Sequence, residues 1–428
     1  MLRFVVSSLA PAVAEAPAAS VSGPGNAPRA AGPLTVAMVA ACPFPAPRGT
    51  PIRILRLAEG LAARGHRVHV VTYHFGSGEV SPAVTLHRVP ALTSYRRLAP
   101  GPSIRKLALL DPLLAGTLYT LLRRLRVDVI HAHHYEGLLV AAAARMGRPI
   151  PLVFDVHTLL GSELPTYGRW MPARAARALG VWADRRLPRL ADHVAGCSER
   201  IRGRLLELGA VPADRITVVA HGVEPGLFGG AGAGPPRPAG APPRLVFTGN
   251  LARYQGIELM LRALRRVLDR RGDVRLTIVT GASFERYEAL ARELGVRHAI
   301  ELLPGPLGEV PALLAGADVA LNPRIECDGT PVKLLNYMAA GRPVVSFAGS
   351  APGLVHRSTA WLARDGDVEG FAEGVLALLA DRALADTLGR NARRFVEANH
   401  SWAHAVDRTE ALYGALLAGA VRDEPGRP

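Results

Sequence analysis

A polar loop between a predicted strand and a predicted helix, residues 328–331 (DGTP), is well suited to hold an anion. It places backbone N–H groups at a helix N-terminus, where the helix dipole favours negative charge. Arg324 and Lys333 flank the loop, and Lys333 is one of only two lysines in a chain with 51 basic residues. A compact ammonium is expected where a planar guanidinium would not fit. These residue types predict a phosphate site whose cations are Arg324 and Lys333.

Asn336 and His157 are two further polar residues placed to reach a ligand. Asn336 lies about one helical turn beyond Lys333, so we expect both on one helix face, with Asn336 able to hydrogen-bond ribose hydroxyls. His157 directly follows a predicted buried strand, in the sequence FDVHT. Ligands of parallel α/β sheets bind beyond the carboxyl ends of the strands, so this position favours a functional role for His157 over a structural one.

Three histidines at another strand end, His131, His133 and His134, raise the question of a metal. An H-x-H pair can bind an ion. No Asp, Glu or Cys at ligand spacing follows them in the sequence, so we expect neutral histidines of the core or of an acceptor site, and no metal.

Short apolar strands alternate with helices on both sides of a Gly/Pro-rich stretch, which is typical of parallel sheets covered on both faces. Strands are predicted at 34–42, 66–73, 127–131, 152–155, 193–197 and 216–219, and then at 245–248, 274–279, 319–322 and 343–347. Helices are predicted at 52–64, 137–145, 257–271, 332–339, 368–397 and 402–417.

This order predicts an α/β protein with two Rossmann-like doubly wound domains that face a central cleft. The predicted parts are a disordered tail (1–33), an N-terminal domain (34–225), a linker (226–243), a C-terminal domain (244–398) and a C-terminal helix and tail (399–428). The C-terminal helix is expected to pack back on the N-terminal domain.

The composition excludes several classes of protein. A chain of 428 residues with 49% hydrophobic residues can fill more than one core, so it is not mostly disordered. Three cysteines argue against a disulfide scaffold and suit a reducing cytoplasm. The sequence carries neither a G-x-G-x-x-G after its first strand nor a P-loop, which disfavours a nicotinamide dehydrogenase and a P-loop NTPase.

The net charge of +15 favours anionic partners, and the scarcity of aromatics (5%) argues against nucleic acid. No apolar run reaches the length of a membrane span. Residues 1–19 are interpreted as an Ala/Pro tail rather than a signal peptide. Residues 95–126 combine leucines with basic residues, which fits either a membrane-surface helix or a helix packed on the sheet.

The segment 322–345 resembles the donor-binding region of glycosyltransferase family 4, whose members have the GT-B fold. The resemblance extends from residue 34 to residue 417. It is supported by RGT (48–50), FDVHT (154–158), VVAHGVEPGLF (218–228), TGNLARYQGIELML (248–261), ADVALNP (317–323) and NHSW (399–402). The order and spacing of these motifs carry it, since each alone is weak.

The resemblance implies a hexosyltransferase that takes the sugar from a nucleotide-sugar donor, with retention and without a metal or other cofactor. The C-terminal domain would hold the nucleotide and the N-terminal domain a saccharide or lipid-linked acceptor. The implied setting is the synthesis of a cell-surface polysaccharide or glycolipid. The enzyme would act in the cytoplasm or at the inner face of the membrane, with an anionic membrane surface as a further partner.

The resemblance also assigns roles to single residues. Arg324, Lys333 and the amides of Gly329 and Thr330 would hold the diphosphate. The family's two acidic positions fall on Asp328, which would bind the transferred sugar together with His157, and on Asn336, which would bind ribose.

Two positions depart from the family, because its cationic pair falls on the uncharged Asn250 and Gln255. Arg324 and Lys333, with Arg253 as a further candidate, are expected to take over their task. Gly49 would lie close to the reacting sugar, since a residue without Cβ lets backbone approach a ligand.

Two other functions fit the same sequence. A nucleotide-sugar epimerase also uses paired domains of this kind and needs no acceptor. The uncharged Asn250, Gln255 and Asn336 would also suit a glycosyltransferase-like subunit that binds without catalysing.

Overall fold

The computed structural model describes residues 32–46, 49–91, 95, 106–166, 171–229, 240–304 and 310–422. Residues 1–31 of the predicted tail, 230–239 of the predicted linker and Arg48 lie outside this described part. Strands and helices alternate in two sets, as the apolar pattern predicts.

The first domain contains a seven-stranded sheet in the order β3-β2-β1-β4-β5-β6-β7, in which every pair is parallel. Its strands are β1 Thr35–Ala40, β2 Arg67–Thr72, β3 Val84–Arg88, β4 Val129–His133, β5 Leu152–Val156, β6 His193–Gly196 and β7 Ile216–Val218. Its helices are α1 Gly49–Ala63, α2 Asp111–Arg124, α3 His134–Arg145, α4 Leu160–Glu163, α5 Ala173–Arg186 and α6 Glu199–Glu207. The strand order reverses between β1 and β4, which is where ligands bind in such sheets.

The second domain contains a six-stranded parallel sheet in the order β10-β9-β8-β11-β12-β13. Its strands are β8 Arg244–Thr248, β9 Arg275–Val279, β10 Ile300–Leu303, β11 Val319–Asn322, β12 Val344–Phe347 and β13 Trp361–Ala363. Its helices are α7 Ile257–Arg270, α8 Glu285–Glu293, α9 Val310–Ala315, α10 Val332–Ala339, α11 Val368–Ala380 and α12 Arg382–Asn399. The prediction of two doubly wound α/β domains is therefore confirmed.

Three strands, five helices (α4, α5, α6, α8 and α9) and one helix break were not predicted. β3, β10 and β13 are short, and β3 and β10 are partly exposed, so they lack a long apolar run. The helix predicted over 368–397 is divided at Asp381, whose carboxylate accepts a hydrogen bond from the backbone of Leu384 and so begins α12. An N-terminal cap of this kind satisfies a backbone N–H that the helix itself leaves free.

Both faces of each sheet are buried. In β1, Val36 and Met38 pack into one hydrophobic cluster, whereas Ala37 and Val39 pack into another on the opposite face. Side chains alternate across a strand, so continuous burial of this kind requires helices on both faces.

The C-terminal helix α13, Trp402–Arg422, packs against the N-terminal domain. Tyr413 is fully buried there, and its hydroxyl lies 2.6 Å from Nδ1 of His131. Glu410 contacts Nε2 of His66 at 2.8 Å and also pairs with Arg64. The helix thus completes the core of the first domain, although it follows the second in sequence.

The basic, leucine-rich stretch forms a π-helical turn, Lys106–Leu110, followed by α2. Leu114 and Leu118 of α2 are fully buried against the sheet, so this helix packs on the domain. Leu107, Leu109 and Leu125 stay exposed beside it. Within the described residues, no helix combines the length and the apolar character needed to cross a membrane.

Candidate active site

Lys333 lies in the first turn of α10, and its ammonium hydrogen-bonds Oε1 of Gln255. The amide nitrogen of Gln255 lies 3.4 Å from Oδ1 of Asn250, so the three side chains form a continuous row. The Lys333 ammonium also lies 3.9 Å from the centre of the Phe247 ring. The structure thus brings together three predicted donor-site residues at the carboxyl end of β8.

The ammonium of Lys333 lacks a compensating negative charge among the described residues, in which no carboxylate pairs with it. Burial lowers the pKa of Lys333 well below its usual value, and Arg324 lowers it further while Cys327 opposes the shift. An anion bound here would supply the missing charge.

Arg324 and Arg253 lie near this row without contacting Lys333. The Arg324 guanidinium stacks 4.9 Å from the centre of the Tyr254 ring, and its Nε donates to the Glu326 carbonyl at 2.5 Å. Arg253 is exposed on the turn Arg253–Gln255 that precedes α7. Arg253 follows β8 and Arg324 follows β11, so both residues lie at the carboxyl-terminal edge of the second sheet.

Thr330 and Asn336 remain available for a ligand. Thr330 is half-buried in the loop before α10, and Asn336 is half-buried one turn after Lys333. In the described part of the chain neither side chain has a hydrogen bond, which leaves both free to accept one or donate one to a ligand.

Asp328 joins the two domains. Its Oδ2 accepts hydrogen bonds from the backbone N–H of Leu159, at 3.2 Å, and from the hydroxyl of Ser162. Its carbonyl accepts from Oγ of Ser198 at 2.5 Å. The carboxylate predicted to bind the transferred sugar therefore contacts the N-terminal domain near His157.

Two glycines lie where the domains contact each other. A Cβ on Gly329 would lie 3.0 Å from Sγ of Cys197 and 3.9 Å from the carbonyl oxygen of His157. A Cβ on Gly49, which begins α1, would lie 3.8 Å from Cγ2 of Val332. The predicted site residues of both domains therefore meet across one cleft.

His157 is only 5% exposed and follows β5. Its Nε2 lies 3.4 Å from Oδ2 of Asp155, and burial lowers the pKa of His157 to about 3 against the opposing effect of Asp155. Its Nδ1 is buried without a hydrogen-bond partner. The histidine is thus neutral and has one unused nitrogen beside the cleft.

His131, His133 and Asp155 form a buried group whose potential ligand atoms lie within 4.8 Å of one another. Although no carboxylate follows these histidines at ligand spacing in the sequence, β5 lies beside β4 and supplies Asp155. Arg53 already occupies both carboxylate oxygens, with Nε at 2.8 Å and one terminal nitrogen at 3.1 Å. A metal cation fits poorly beside a guanidinium that neutralises the same carboxylate.

The resemblance to the family also implies that His134, Tyr135 and Glu136 line the acceptor side of the cleft, and Tyr135 departs from this expectation. Tyr135 is buried, and its hydroxyl donates to Asp184 at 2.5 Å because its helix face packs on the core. His134 is half-exposed with a positive φ of 63°, and its ring lies 5.0 Å from that of His157. Glu136 pairs with Lys106 at 2.7 Å.

Two buried residues that help to shape the site were missed by the sequence analysis. The hydroxyl of Tyr337 accepts the backbone N–H of Thr248 at 2.7 Å and so fixes α10 against the end of β8. Arg53 donates to the carbonyls of Val219, at 2.8 Å, and Ala220, at 3.1 Å. The signal that the sequence offered for Arg53 was an arginine within the apolar pattern of a predicted helix.

Two family models match the chain. The model described as Glycosyltransferase Family 4 matches residues 47–227, and the model described as Glycosyl transferases group 1 matches residues 242–381. Each match corresponds to one of the two sheet domains, and together they cover most of the chain.

Among curated relatives, the MMP alpha-(1->4)-mannosyltransferase of Mycolicibacterium hassiacum is 28% identical over 86% of this chain and 95% of its own length. Among solved structures, the sucrose-phosphate synthase of Thermosynechococcus elongatus superposes with a TM-score of 0.75 at 20% identity, over 90% of this chain and 100% of that one. Anabaena HepE in complex with UDP-glucose gives a TM-score of 0.67 at 15% identity, over 90% and 100% of the two chains. The protein is therefore a glycosyltransferase of GT-B fold, whose N-terminal domain matches the Family 4 model and whose C-terminal domain matches the group 1 model.

Proposed function

We propose that the protein transfers a hexosyl unit from a nucleotide-sugar donor to a saccharide or lipid-linked acceptor, with retention and without a metal. The observation that carries this proposal is the position of Lys333, an ammonium without an acidic partner among the described residues, in the first turn of α10. The relative named as a mannosyltransferase and the neighbour solved with UDP-glucose support a donor of this class.

The donor side would act on the leaving group. As the bond between the sugar C1 and the phosphate oxygen breaks, its electron pair moves onto the diphosphate while the sugar becomes oxocarbenium-like. Lys333 and Arg324, with the N–H groups of Gly329 and Thr330, would stabilise that charge as it develops. Asn336 would bind ribose, and Asn250 and Gln255 would orient Lys333.

The fate of the acceptor proton supports retention. In a same-face displacement the departing phosphate oxygen can take the proton from the acceptor hydroxyl, so no separate base is required. His157 is a weak proton acceptor at neutral pH, because burial holds its pKa at about 3. We therefore assign His157 and Asp328 to binding the sugar, and Gly49 to its close approach.

Metal independence is part of the proposal. The buried group of His131, His133 and Asp155 already contains the guanidinium of Arg53 as its cation. On the donor side, the cations are supplied by Lys333 and Arg324 instead of an ion bound by acidic residues.

We further propose that the enzyme works on the cytoplasmic side, with weak contact to an anionic membrane surface, in polysaccharide or glycolipid synthesis. Leu107 and Leu109 are exposed before the N-terminus of α2, and Leu125 is exposed next to the exposed Arg123 and Arg124 at its C-terminus. Such a combination favours anionic lipid headgroups. Flotation with vesicles with and without phosphatidylglycerol tests this, and the R123E/R124E variant should lose a charge-dependent association.

The activity itself is tested with purified protein and a panel of UDP-, GDP-, ADP- and dTDP-sugars. We expect one donor to raise the melting temperature and to undergo transfer or slow hydrolysis that EDTA does not inhibit. The anomeric coupling constant of the product then reports retention or inversion. Epimerised donor without acceptor would favour an epimerase, and nucleotide binding without any turnover would favour a non-catalytic subunit.

A further inference from the structure

We propose that Asp155 is a positioning residue that fixes His157 as a hydrogen-bond acceptor, with the Nδ1 lone pair directed to a hydroxyl of the donor sugar. Asp155 lies in β5 and His157 directly follows that strand, so the two side chains share one face of the sheet. The inference deepens the proposed function, on which its kinetic test rests.

One carboxylate oxygen of Asp155 lies close to four nitrogens. Oδ2 lies 2.8 Å from Nε of Arg53, 3.1 Å from Nδ1 of His133, 3.4 Å from Nε2 of His157 and 3.7 Å from Nε2 of His131. An ionised carboxylate can only accept hydrogen bonds. A bare nitrogen lone pair facing this oxygen would be repelled, so each histidine nitrogen that faces it carries a hydrogen.

This arrangement selects one tautomer of His157. With the hydrogen on Nε2, the Nδ1 atom keeps its lone pair. Nδ1 of His133 and Nε2 of His157 also lie 3.3 Å apart, within hydrogen-bond distance, and in the opposite tautomer of His157 a bare Nε2 would accept from Nδ1–H of His133. The form with the hydrogen on Nε2 avoids placing a lone pair 3.4 Å from an ionised carboxylate oxygen. The carboxylate therefore decides which kind of hydrogen bond His157 can offer to the cleft.

Arg53 keeps the carboxylate ionised and in place. Burial alone would raise the pKa of Asp155, but the charge of Arg53, together with the neighbouring histidines, holds it well below its usual range. Arg53 is fully buried, and its remaining N–H groups donate to the carbonyls of Val219 and Ala220. The ion pair thus ties β5 to α1 and to the segment that follows β7.

His157 lies where the two domains meet, and its Nδ1 is buried without a hydrogen-bond partner among the described residues. The carbonyl of the same residue accepts from Sγ of Cys197 at 3.3 Å and lies 3.9 Å from the Cβ position of Gly329 in the second domain. A buried acceptor without a hydrogen bond costs free energy, and a sugar hydroxyl that donates to Nδ1 would recover it.

The tautomer is measured directly by ¹⁵N-edited NMR of the free protein with labelled histidine. The His157 signals are assigned by their loss in His157→Gln. We expect a protonated Nε2 and a bare Nδ1 in the unsubstituted protein, and a protonated Nδ1 on His157 would overturn the proposal. This readout does not depend on turnover, so it separates failure of the inference from failure of the proposed function.

The Asp155→Asn substitution should shift the tautomer towards Nδ1–H, because an amide can also donate to Nε2. Since it leaves Arg53 buried without its counter-charge, the double variant Arg53→Met/Asp155→Asn provides a charge-balanced version. Asp184→Asn is the matched control, because Asp184 is a buried carboxylate that binds Tyr135 and the backbone of α4 instead of His157. The tautomer of His157 should be unchanged in this variant.

Kinetics with deoxy analogues of the preferred donor provide the second test. Removing the hydroxyl that donates to Nδ1 should lower kcat/KM of the unsubstituted enzyme roughly 10- to 100-fold. Asp155→Asn and His157→Gln should each lose this difference in kcat/KM between the donor and its deoxy analogue. Combining the two substitutions should lower kcat/KM for the donor no further. Two results would contradict a role of Asp155 that acts through His157. One is an Asp155→Asn enzyme that still distinguishes the donor from its deoxy analogue as well as the unsubstituted enzyme does, and the other is a double variant in which the two reductions of kcat/KM multiply.

Discussion

Lys333 donates a hydrogen bond to Oε1 of Gln255, which joins the first turn of α10 to the turn before α7. Although Gln255 is uncharged, the predicted phosphate site still contains a cation at this position, because Lys333 of the neighbouring helix reaches it. Gly249 lies beside this ammonium, and its φ of 132° is a backbone conformation that favours glycine.

Replacing Lys333 by methionine should lower kcat/KM by roughly 10²–10³-fold, the usual loss for one electrostatic contact to a developing negative charge. The same substitution should raise the melting temperature of the free protein, because it removes an ammonium that is desolvated without a counter-charge. Transfer assays and thermal unfolding with and without nucleotide measure the two effects.

The matched control is Arg292→Met, which removes a largely exposed cation on α8. It should change neither turnover nor the thermal response to nucleotide. A Lys333→Met enzyme with normal kcat/KM would show that the leaving group is stabilised by other residues.

Nucleotide affinity should fall as the pH rises above neutrality. The pKa of Lys333 is lowered in the free protein, and a bound diphosphate would raise it, so binding takes up a proton between these two pKa values. Raising the pH through that window opposes proton uptake and weakens binding. Calorimetry in two buffers of different ionisation enthalpy measures the proton uptake directly.

This titration is best followed above about pH 7.5, where the phosphate groups, with a second pKa near 6, are already ionised. Lys333→Met should bind without proton uptake and with a flatter pH profile. If the variant and the unsubstituted protein take up the same number of protons, another group is responsible.

Substituting alanine for Gly329 should separate the domains, because the added Cβ would lie 3.0 Å from Sγ of Cys197. We expect kcat/KM to fall about tenfold or more, since small displacements of reacting groups are costly. The double variant Gly329→Ala/Cys197→Ala removes the sulfur and should recover part of the activity. Steady-state kinetics of the two variants test this.

Gly203→Ala is the matched glycine control, because a Cβ on this residue of α6 meets no atom within 4 Å. Its activity should be normal and its stability slightly higher, as expected for alanine in a helix. No recovery in the double variant would mean that Gly329 is required for its backbone rather than for space.

Removing the Tyr413 hydroxyl should destabilise the docking of α13. Tyr413→Phe leaves Nδ1 of His131 buried without its partner, which costs about 1–3 kcal/mol in the free energy of unfolding. Chemical denaturation measures this change. Tyr119→Phe is the control, because the ring of the half-buried Tyr119 stacks with Arg148 and is retained.

Much of the architecture follows from local sequence patterns. Buried apolar runs such as β1 and β8, separated by helices and turn residues, are sufficient to predict two parallel sheets. The loop before α10 and its flanking Lys333 could be identified as an anion site for the same reason, since helix termini and their charges are local features.

Tertiary structure decided the relationships between distant residues. Asp155 meets His133 because β5 pairs with β4, Lys333 meets Gln255 because α10 lies beside the end of β8, and Asp328 meets Ser162 because the domains close. The periodicity of a strand or helix determines which of its faces is buried, but not which other element covers that face. The sequence by itself therefore determined the elements and the kind of chemistry, whereas packing between elements decided which side chains act together.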